Sequence, residues 1–220
     1  MSGNTTCQGG RDRMKTGKCR GYRKVKRGLD LALTLAAFVL LFPWMMLIGI
    51  LIWITSGRPV IYRHPRVGRG GEAFVLYKFR TMVADPKEQE RRLTDEQKQK
   101  LCQDFKLKQD PRITRFGHFL RKTSLDEIPQ LVNVIRGDMS LVGPRPVTEA
   151  EIRKYRPHQQ LFLSVRPGVT GPWQISGRSD TSYKHRVWMD IHYIRNINFW
   201  TDVSILFRTL LVPFRQKGAY

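Results

Sequence analysis

Cysteine is scarce in this chain, and acidic residues are few beside basic ones. The 220 residues hold three cysteines, Cys7, Cys19 and Cys102, none in a CxxC pair. Their odd number and wide spacing argue against a disulfide framework or a cysteine zinc site, and fit a reducing compartment. The five histidines have no metal-ligand spacing, and no Ser/His/Asp triad is legible. The glycines of "GRGG" (68–71) do not open a helix with GxGxxG spacing, which argues against a dinucleotide site. An RNP sequence, zinc fingers and a helix-turn-helix pattern are missing too. Asp and Glu total 18 against 39 Lys and Arg, a net charge of +21. That imbalance points to anionic partners: nucleic acid, anionic lipid or phosphorylated substrates.

Charge of either sign is absent from residues 31–54. As a straight helix this run would be roughly 36 Å long at about 1.5 Å per residue, against a hydrocarbon core about 30 Å thick. Two features favour a re-entrant helix-break-helix over a spanning helix. Pro43 removes a backbone hydrogen bond in mid-run and collides with the carbonyl of Val39. Both flanks are basic, with Arg20, Arg23, Lys24, Lys26 and Arg27 before the run and Arg58, Arg63, Arg66 and Arg69 after it. The positive-inside rule puts such residues on the cytoplasmic side, which a spanning helix satisfies for one flank only. A kinked spanning anchor is the competing reading, since membrane helices tolerate proline. The run is too long for a signal-peptide h-region and no A-x-A site follows it. Residues 1–25 are Gly-rich, polar and basic, the composition of a disordered tail.

Residues 59–82 have the pattern of a β-hairpin turning at "GRGG". Alternation puts Lys78 and Arg80 on one face, with Tyr77, Phe79 and Thr81 on the other. Residues 86–109 are polar and helix-prone, a surface helix or an insertion. Farther on, Ile128, Leu131, Val132 and Ile135 have helical spacing. Ser124 and Glu127 have capping-box spacing, although Pro129 can delay the helix start. Either way Asp126 and Glu127 fall at a helix N-terminus, where the dipole favours carboxylates and phosphates. The bland reading is a cap. Arg112, Arg115, Arg121, Lys122 and Arg136 in the same segment favour a site for a divalent metal and a polyphosphate, with an aspartate among cations as a phosphoryl nucleophile. "GPRP" holds Arg145 between two prolines, stiff enough for bidentate phosphate contact or merely a rigid turn. In the loop "RPGVTGPWQISGRSD" Arg178 can face phosphate, while Trp173 is a core residue or a stacking platform. In the tail, Phe199, Ile205, Leu206 and Leu210 approach one helical face, packed on the domain or lying in the membrane interface.

Taken in order, the basic flank, the proline-centred apolar run, "KFRTM", "LRKTSLDEIPQLVNVIRGDMSLVGPRP" and "GVTGPWQISGRS" resemble the monotopic phosphoglycosyl transferases, short form, from about Lys26 to Tyr220. The resemblance implies a mixed α/β fold. A small, helix-rich cytosolic domain (58–220) with a β-hairpin and an interfacial C-terminal helix would join a re-entrant membrane hairpin (26–57). It implies transfer of a sugar 1-phosphate from a UDP-sugar to polyprenyl (undecaprenyl) phosphate with Mg²⁺, releasing UMP and initiating exopolysaccharide, capsule or O-antigen synthesis. By motif position Asp126 would be the nucleophile and Glu127 its partner, both near the metal. Lys78, Arg80, Arg121 and Arg145 would bind phosphates or hold the site together. Asp190, with Asp202 as rival, would be a third carboxylate at the metal. The catalytic domain would work on the cytoplasmic face of the bacterial inner membrane, among membrane lipids. The family breaks its helix at a Ser-Pro pair, whereas this chain has Phe42-Pro43. The "WQISGR" variant and the closing "GAY" favour a hexose. The competing class is a membrane-tethered basic protein that binds nucleic acid or anionic lipid without catalysis.

Overall fold

The computed structural model describes residues 9–83, 85, 88, 110–176 and 182–215. Arg178 and, apart from Glu88, the segment 86–109 lie outside them. So do residues 1–8 of the expected tail. The fold is mixed and helix-rich, with one small antiparallel hairpin and one long apolar N-terminal helix.

Helix α1 runs Gly9–Ser56, with Pro43 inside it and its first turns within the segment read as a tail. Two stretches of α1 rest on the domain. In the first, Lys26 Nζ lies 2.5 Å from Asp202 Oδ2, and the Tyr22 hydroxyl donates to the same oxygen at 2.8 Å. The Tyr193 hydroxyl donates to Asp202 Oδ1 at 2.6 Å. Asp30 accepts from Ser140 Oγ at 2.7 Å and the Leu141 N–H at 3.3 Å. In the second, Ile48 and Ile52 are buried with Phe79 and Leu120, and Phe116 and Leu125 pack against them. Between the two, Leu35, Val39, Leu40, Phe42 and Trp44 are exposed. Exposed apolar surface on this scale marks a membrane or protein contact. The stretch Val25–Ser56 is long and apolar enough to cross a membrane. The last carbonyls of a helix lack intrahelical partners. Here Arg80 donates to the carbonyls of Ser56, Gly57 and Arg58.

Strands β1 (Ile61–Val67) and β2 (Ala73–Phe79) pair antiparallel around Gly68 and a 3₁₀ turn, Arg69–Gly71, as the sequence pattern predicts. Helix α2 (Arg115–Thr123) follows, N-capped by Thr114, whose side chain accepts from the Gly117 N–H. A Cβ on Gly117 would lie 2.1 Å from the Thr81 carbonyl oxygen, so only glycine lets α2 settle on the chain after β2. A 3₁₀ turn, Leu125–Glu127, leads into α3 (Gln130–Arg136). Then come β3 (Ser140–Val142), α4 (Glu149–Ile152), α5 (Gln159–Leu163) and β4 (Gly168–Thr170), parallel to β3. Helices α6 (Pro172–Ile175), α7 (Tyr183–Arg195) and α8 (Phe199–Arg215) complete the described chain. The main core joins Val142, Val147, Tyr155 and Phe162 to Ile191, Ile194 and Ile205.

Three local expectations are corrected. Ser124 adopts left-handed geometry (φ 60°) and its side chain caps nothing, so no capping box forms. The 3₁₀ turn spends those residues before α3 begins. In consequence the buried face of α3 is Gln130, Leu131, Asn133 and Val134, while Ile128, Val132 and Ile135 are half-exposed. In α8, Ile205 and Leu206 join the core but Phe199 and Leu210 face outward, because buried Asp202 sets the rotation by holding Lys26.

Removing one partner of a buried ion pair strands the other. Asp202→Leu should cost about 3–5 kcal/mol in denaturant unfolding of the detergent-solubilised protein. The Lys26→Leu/Asp202→Leu double variant should recover part of that loss, the two tyrosine hydroxyls remaining unpaired. Equal stability of the single variant and the parent would refute the latch.

Candidate active site

Asn133 assembles the site. It is fully buried on α3, and polar groups at such depth must be paired. Its Oδ1 accepts from the Tyr77 N–H at 3.1 Å, and its Nδ2 donates to the Val75 carbonyl at 2.7 Å and to Asp138 Oδ2 at 3.1 Å. These bonds dock the edge of β2 on α3. They thereby set Lys78 opposite the turn that carries Asp126 and Glu127. Lys78 Nζ lies 2.6 Å from Glu127 Oε1 and 3.9 Å from Asp126 Oδ2.

Arg145 approaches from the other side, its Nη1 3.6 Å from Glu127 Oε1. Its placement follows from backbone contact. A Cβ on Gly168 would lie 2.1 Å from the Gly143 nitrogen, and one on Gly171 2.0 Å from the Gly143 oxygen. The "GPRP" turn is therefore pressed onto β4 and the start of α6. The Arg145 guanidinium lies 5.0 Å from the centroid of the buried Trp173 ring, and Arg186 lies 5.0 Å from the same centroid. Trp173 is thus a core residue that props two arginines rather than an open stacking platform. Glu151 holds Arg186 at 3.6 Å and Arg66 at 3.2 Å. The cleft that results is lined by Arg66, Lys78, Glu127, Gln130, Arg145 and Gln174.

Burial raises the Asp126 carboxyl above the ordinary carboxylate range. Lys78 pulls it back, Glu127 pushes it further up, and Arg121 and Arg145 favour the ionised form. Arg121 is held by its Nε bond to Thr81 Oγ1 at 2.9 Å.

The remaining candidates are placed elsewhere. Arg80 is taken up by the end of α1. Asp190 is fully buried on the core face of α7, where it accepts from the Tyr155 hydroxyl at 2.7 Å; burial pushes its pKa up to about 6. It forms no three-carboxylate cluster with Asp126 and Glu127, and among the described residues no group of three His, Cys, Asp or Glu gathers as for a metal. Asp202 belongs to the α1 latch. Arg178 is outside the described residues. Reading the sequence overlooked Asn133, Arg186 and Glu151. A lone amide within "QLVNVIR" was the available signal for the first. The Arg186–Glu151 pair leaves none, because its partners are distant in sequence.

A buried carboxylate next to a second one, bordered by Lys78, Arg121, Arg145 and Arg66, is suited to phosphate chemistry. Leu125, the residue before Asp126, packs against the cluster that includes Ile48 and Ile52 of the apolar helix, so the site stands near that helix's foot. These features suit one class, phosphate-handling proteins associated with membranes. The sequence comparisons give the family: the family model described as "Bacterial sugar transferase" matches residues 21–216, and the chain belongs to that family.

The chain is 49% identical over 201 residues to a UDP-galactose-lipid carrier transferase of Erwinia amylovora, covering 90% of this chain and 42% of the relative. It is 37% identical over 206 residues to the UDP-glucose:undecaprenyl-phosphate glucose-1-phosphate transferase of Escherichia coli, covering 90% and 42%. With the exopolysaccharide production protein ExoY of Sinorhizobium fredii the identity is 39% over 210 residues, covering 89% and 88%. The chain thus spans about two fifths of the length of the first two relatives and most of the third.

Asn133→Leu would leave the Tyr77 N–H and the Val75 carbonyl without their partner. At about 1–3 kcal/mol for each buried group stranded, unfolding should be easier by about 2–6 kcal/mol. Hydrogen exchange should accelerate at Tyr77 before it does in α7. An unchanged exchange rate at Tyr77 would count against the docking role.

Proposed function

We propose that the protein transfers a sugar 1-phosphate from a UDP-sugar to polyprenyl (undecaprenyl) phosphate, as the initiating step of exopolysaccharide, capsule or O-antigen synthesis. The observation that carries this reading is that Leu125 packs against a cluster of Phe79, Leu120, Ile48 and Ile52, the last two from the apolar helix. This packing keeps the Asp126 carboxylate beside the apolar helix, where a water-soluble diphosphate and a membrane-bound phosphate can both reach it. The names of relatives add support, since they include lipid carriers, undecaprenyl phosphate, galactose and glucose. They also favour a hexose as the sugar.

In the first half of the reaction an Asp126 carboxylate oxygen attacks the β-phosphorus of the UDP-sugar. A bond forms from that oxygen to phosphorus, the bond to the bridging oxygen breaks, and UMP departs with the electron pair. In the second half a phosphate oxygen of polyprenyl phosphate attacks the same phosphorus and Asp126 leaves as carboxylate. The product is a polyprenyl diphosphosugar, and no oxidant or net proton is needed. Lys78 and Arg145 hold Glu127 and meet the phosphoryl oxygens, and Arg121 supports the ionised form of Asp126. Arg178 is assigned to phosphate by sequence position alone. Mg²⁺ commonly binds through one or two carboxylates plus substrate phosphates, and the adjacent pair Asp126 and Glu127 fits that demand. When bound, it would neutralise diphosphate charge.

The membrane reading belongs to the same proposal. Both ends of the apolar stretch of α1 engage the domain while its middle is exposed. Basic residues flank both ends. These features favour a re-entrant element in which the single helix α1 bends at Pro43 rather than breaking into two helices. The domain would then lie on the cytoplasmic face of the inner membrane, with α8 in the interface.

Steady UMP release from a UDP-hexose should require polyprenyl phosphate and Mg²⁺, and should vanish in Asp126→Ala and in Glu127→Gln. Undiminished turnover in Asp126→Ala would sink the nucleophile assignment. A panel of UDP-sugars in the same assay identifies the donor. The pH profile supplies a separate check. Asp126 must be ionised to attack, and its pKa is raised, so activity should fall with acid at a pH above the ordinary carboxylate range. Lys78 favours the ionised form, so Lys78→Gln should move that limb to still higher pH. A shift to lower pH would contradict the assignment.

A further inference from the structure

Helices α7 and α8 leave a groove between them that the catalytic cleft does not use. Its volume is about 660 Å³. His185, Trp188 and His192 line it from α7, and Trp200, Ser204 and Arg208 from α8, each set at the spacing of one helix face. Met189 and Ile205 are buried at its floor. Helix α6 separates the two sites. Pro172 and Ile175 border the groove, whereas Gln174 lines the catalytic cleft.

Three observations bear on what the groove takes. None of its lining residues is acidic, while Arg208 is cationic and Ser204, Thr201 and Asn196 offer polar hydrogens. The walls are aromatic: the Trp188 ring stacks between His185 (centroids 5.6 Å apart) and His192 (5.2 Å), and Trp188 and Trp200 are exposed. Tryptophan favours the headgroup level of a bilayer.

The third observation is depth. Asp202, in the first turn of α8, holds Lys26. Lys26 precedes the charge-free run at residue 31 by about 7.5 Å of helix, at about 1.5 Å per residue. The headgroup layer on each side of a bilayer is roughly 5–8 Å deep, the difference between a core of about 30 Å and a total of about 40–45 Å. The groove therefore opens near headgroup level. Beside it, Val203, Phe207 and Leu210 form an exposed apolar stripe on α8.

We propose that this groove seats an anionic glycerophospholipid. Its phosphate meets Arg208 and the polar hydrogens of the α8 wall, its glycerol lies against Trp188 and Trp200, and its acyl chains follow the stripe of Val203, Phe207 and Leu210. The inference rests on reading α1 as a membrane element. It does not depend on the transfer reaction.

The test uses the full chain in non-ionic detergent, with phosphatidylglycerol or phosphatidylcholine added at equal amounts and bound lipid read by native mass spectrometry. Phosphatidylglycerol should be retained in preference. Arg208→Gln should weaken its retention about fivefold, the equivalent of about 1 kcal/mol for one basic residue at an anionic surface. Ser204→Glu, which puts a negative charge in an exposed wall position, should weaken it at least as much. Circular dichroism checks that each variant is folded. Asp126→Ala should retain the lipid like the parent, so a failure of the transfer reading and a failure of this one are told apart. Equal retention of both lipids, or no loss in the folded variant or variants, overturns the proposal. So does displacement by millimolar inorganic phosphate, which would mark a site for free anions. A dimer that Trp200→Ser dissociates would instead make the groove a contact between copies, and would also overturn it.

Discussion

One buried amide holds the candidate active site together. Asn133 bonds to both the donor and the acceptor that β2 presents at Val75 and Tyr77. A hydrophobic side chain there would strand two backbone groups, and an aspartate could not donate to the carbonyl. Everything nearer the chemistry follows from that docking. Lys78 lies one residue beyond Tyr77, and Asp126 and Glu127 lie a few residues ahead of α3. Fixing one residue of β2 against one residue of α3 thus fixes the lysine against the carboxylates. The same asparagine's carbonyl accepts the N–H groups of Gly137, Asp138 and Met139, which ends α3 and turns the chain toward β3.

A second constraint ties this cleft to the apolar helix. Leu125 and Phe116 pack against the cluster that Ile48 and Ile52 form with Phe79 and Leu120, and Arg80 caps the end of α1 two residues after Lys78. At the other stretch of α1, Lys26 and Asp30 bind α8 and β3. The domain is thus gripped at two places along one helix. The intervening apolar residues are left exposed, which fits an element whose solvent is lipid.

Much of this arrangement was legible in the sequence because local chemistry dictates it. The hairpin follows from two β-rich runs around Gly68–Gly71, and the apolar helix from its missing charge. Lys78, Asp126, Glu127 and Arg145 do meet, although the spacing of residues 78, 127 and 145 does not by itself say so. What escaped was set by tertiary contact. Ser124 has the spacing of a capping box, yet the turn before Pro129 takes it into left-handed geometry instead. Arg80 has the alternation of a site residue, but β2 ends at Phe79 and the helix terminus claims its guanidinium. Asp190 has the composition of a ligand and the position of a core residue. Only the rotation of α7, which turns it toward Tyr155, distinguishes the two.

Burial and charge act against each other at Asp126, and the balance bears on its proposed role. Removal from water raises a carboxyl's pKa and makes its anion a stronger nucleophile once formed. Burial alone would favour the protonated, inert form. Lys78, Arg121 and Arg145 favour the ionised form, while Glu127 opposes it. The lysine bonds closely to Glu127 and stands farther from Asp126. The close bond goes to the less buried carboxylate, while the lysine's charge still acts on Asp126 from farther off and is the strongest of the cationic influences on it. That leaves Asp126 ionisable without a tight ion pair on the oxygen that has to attack. Two adjacent acids with unequal burial and one shared lysine can in this way divide into an anchor for cations and a free nucleophile.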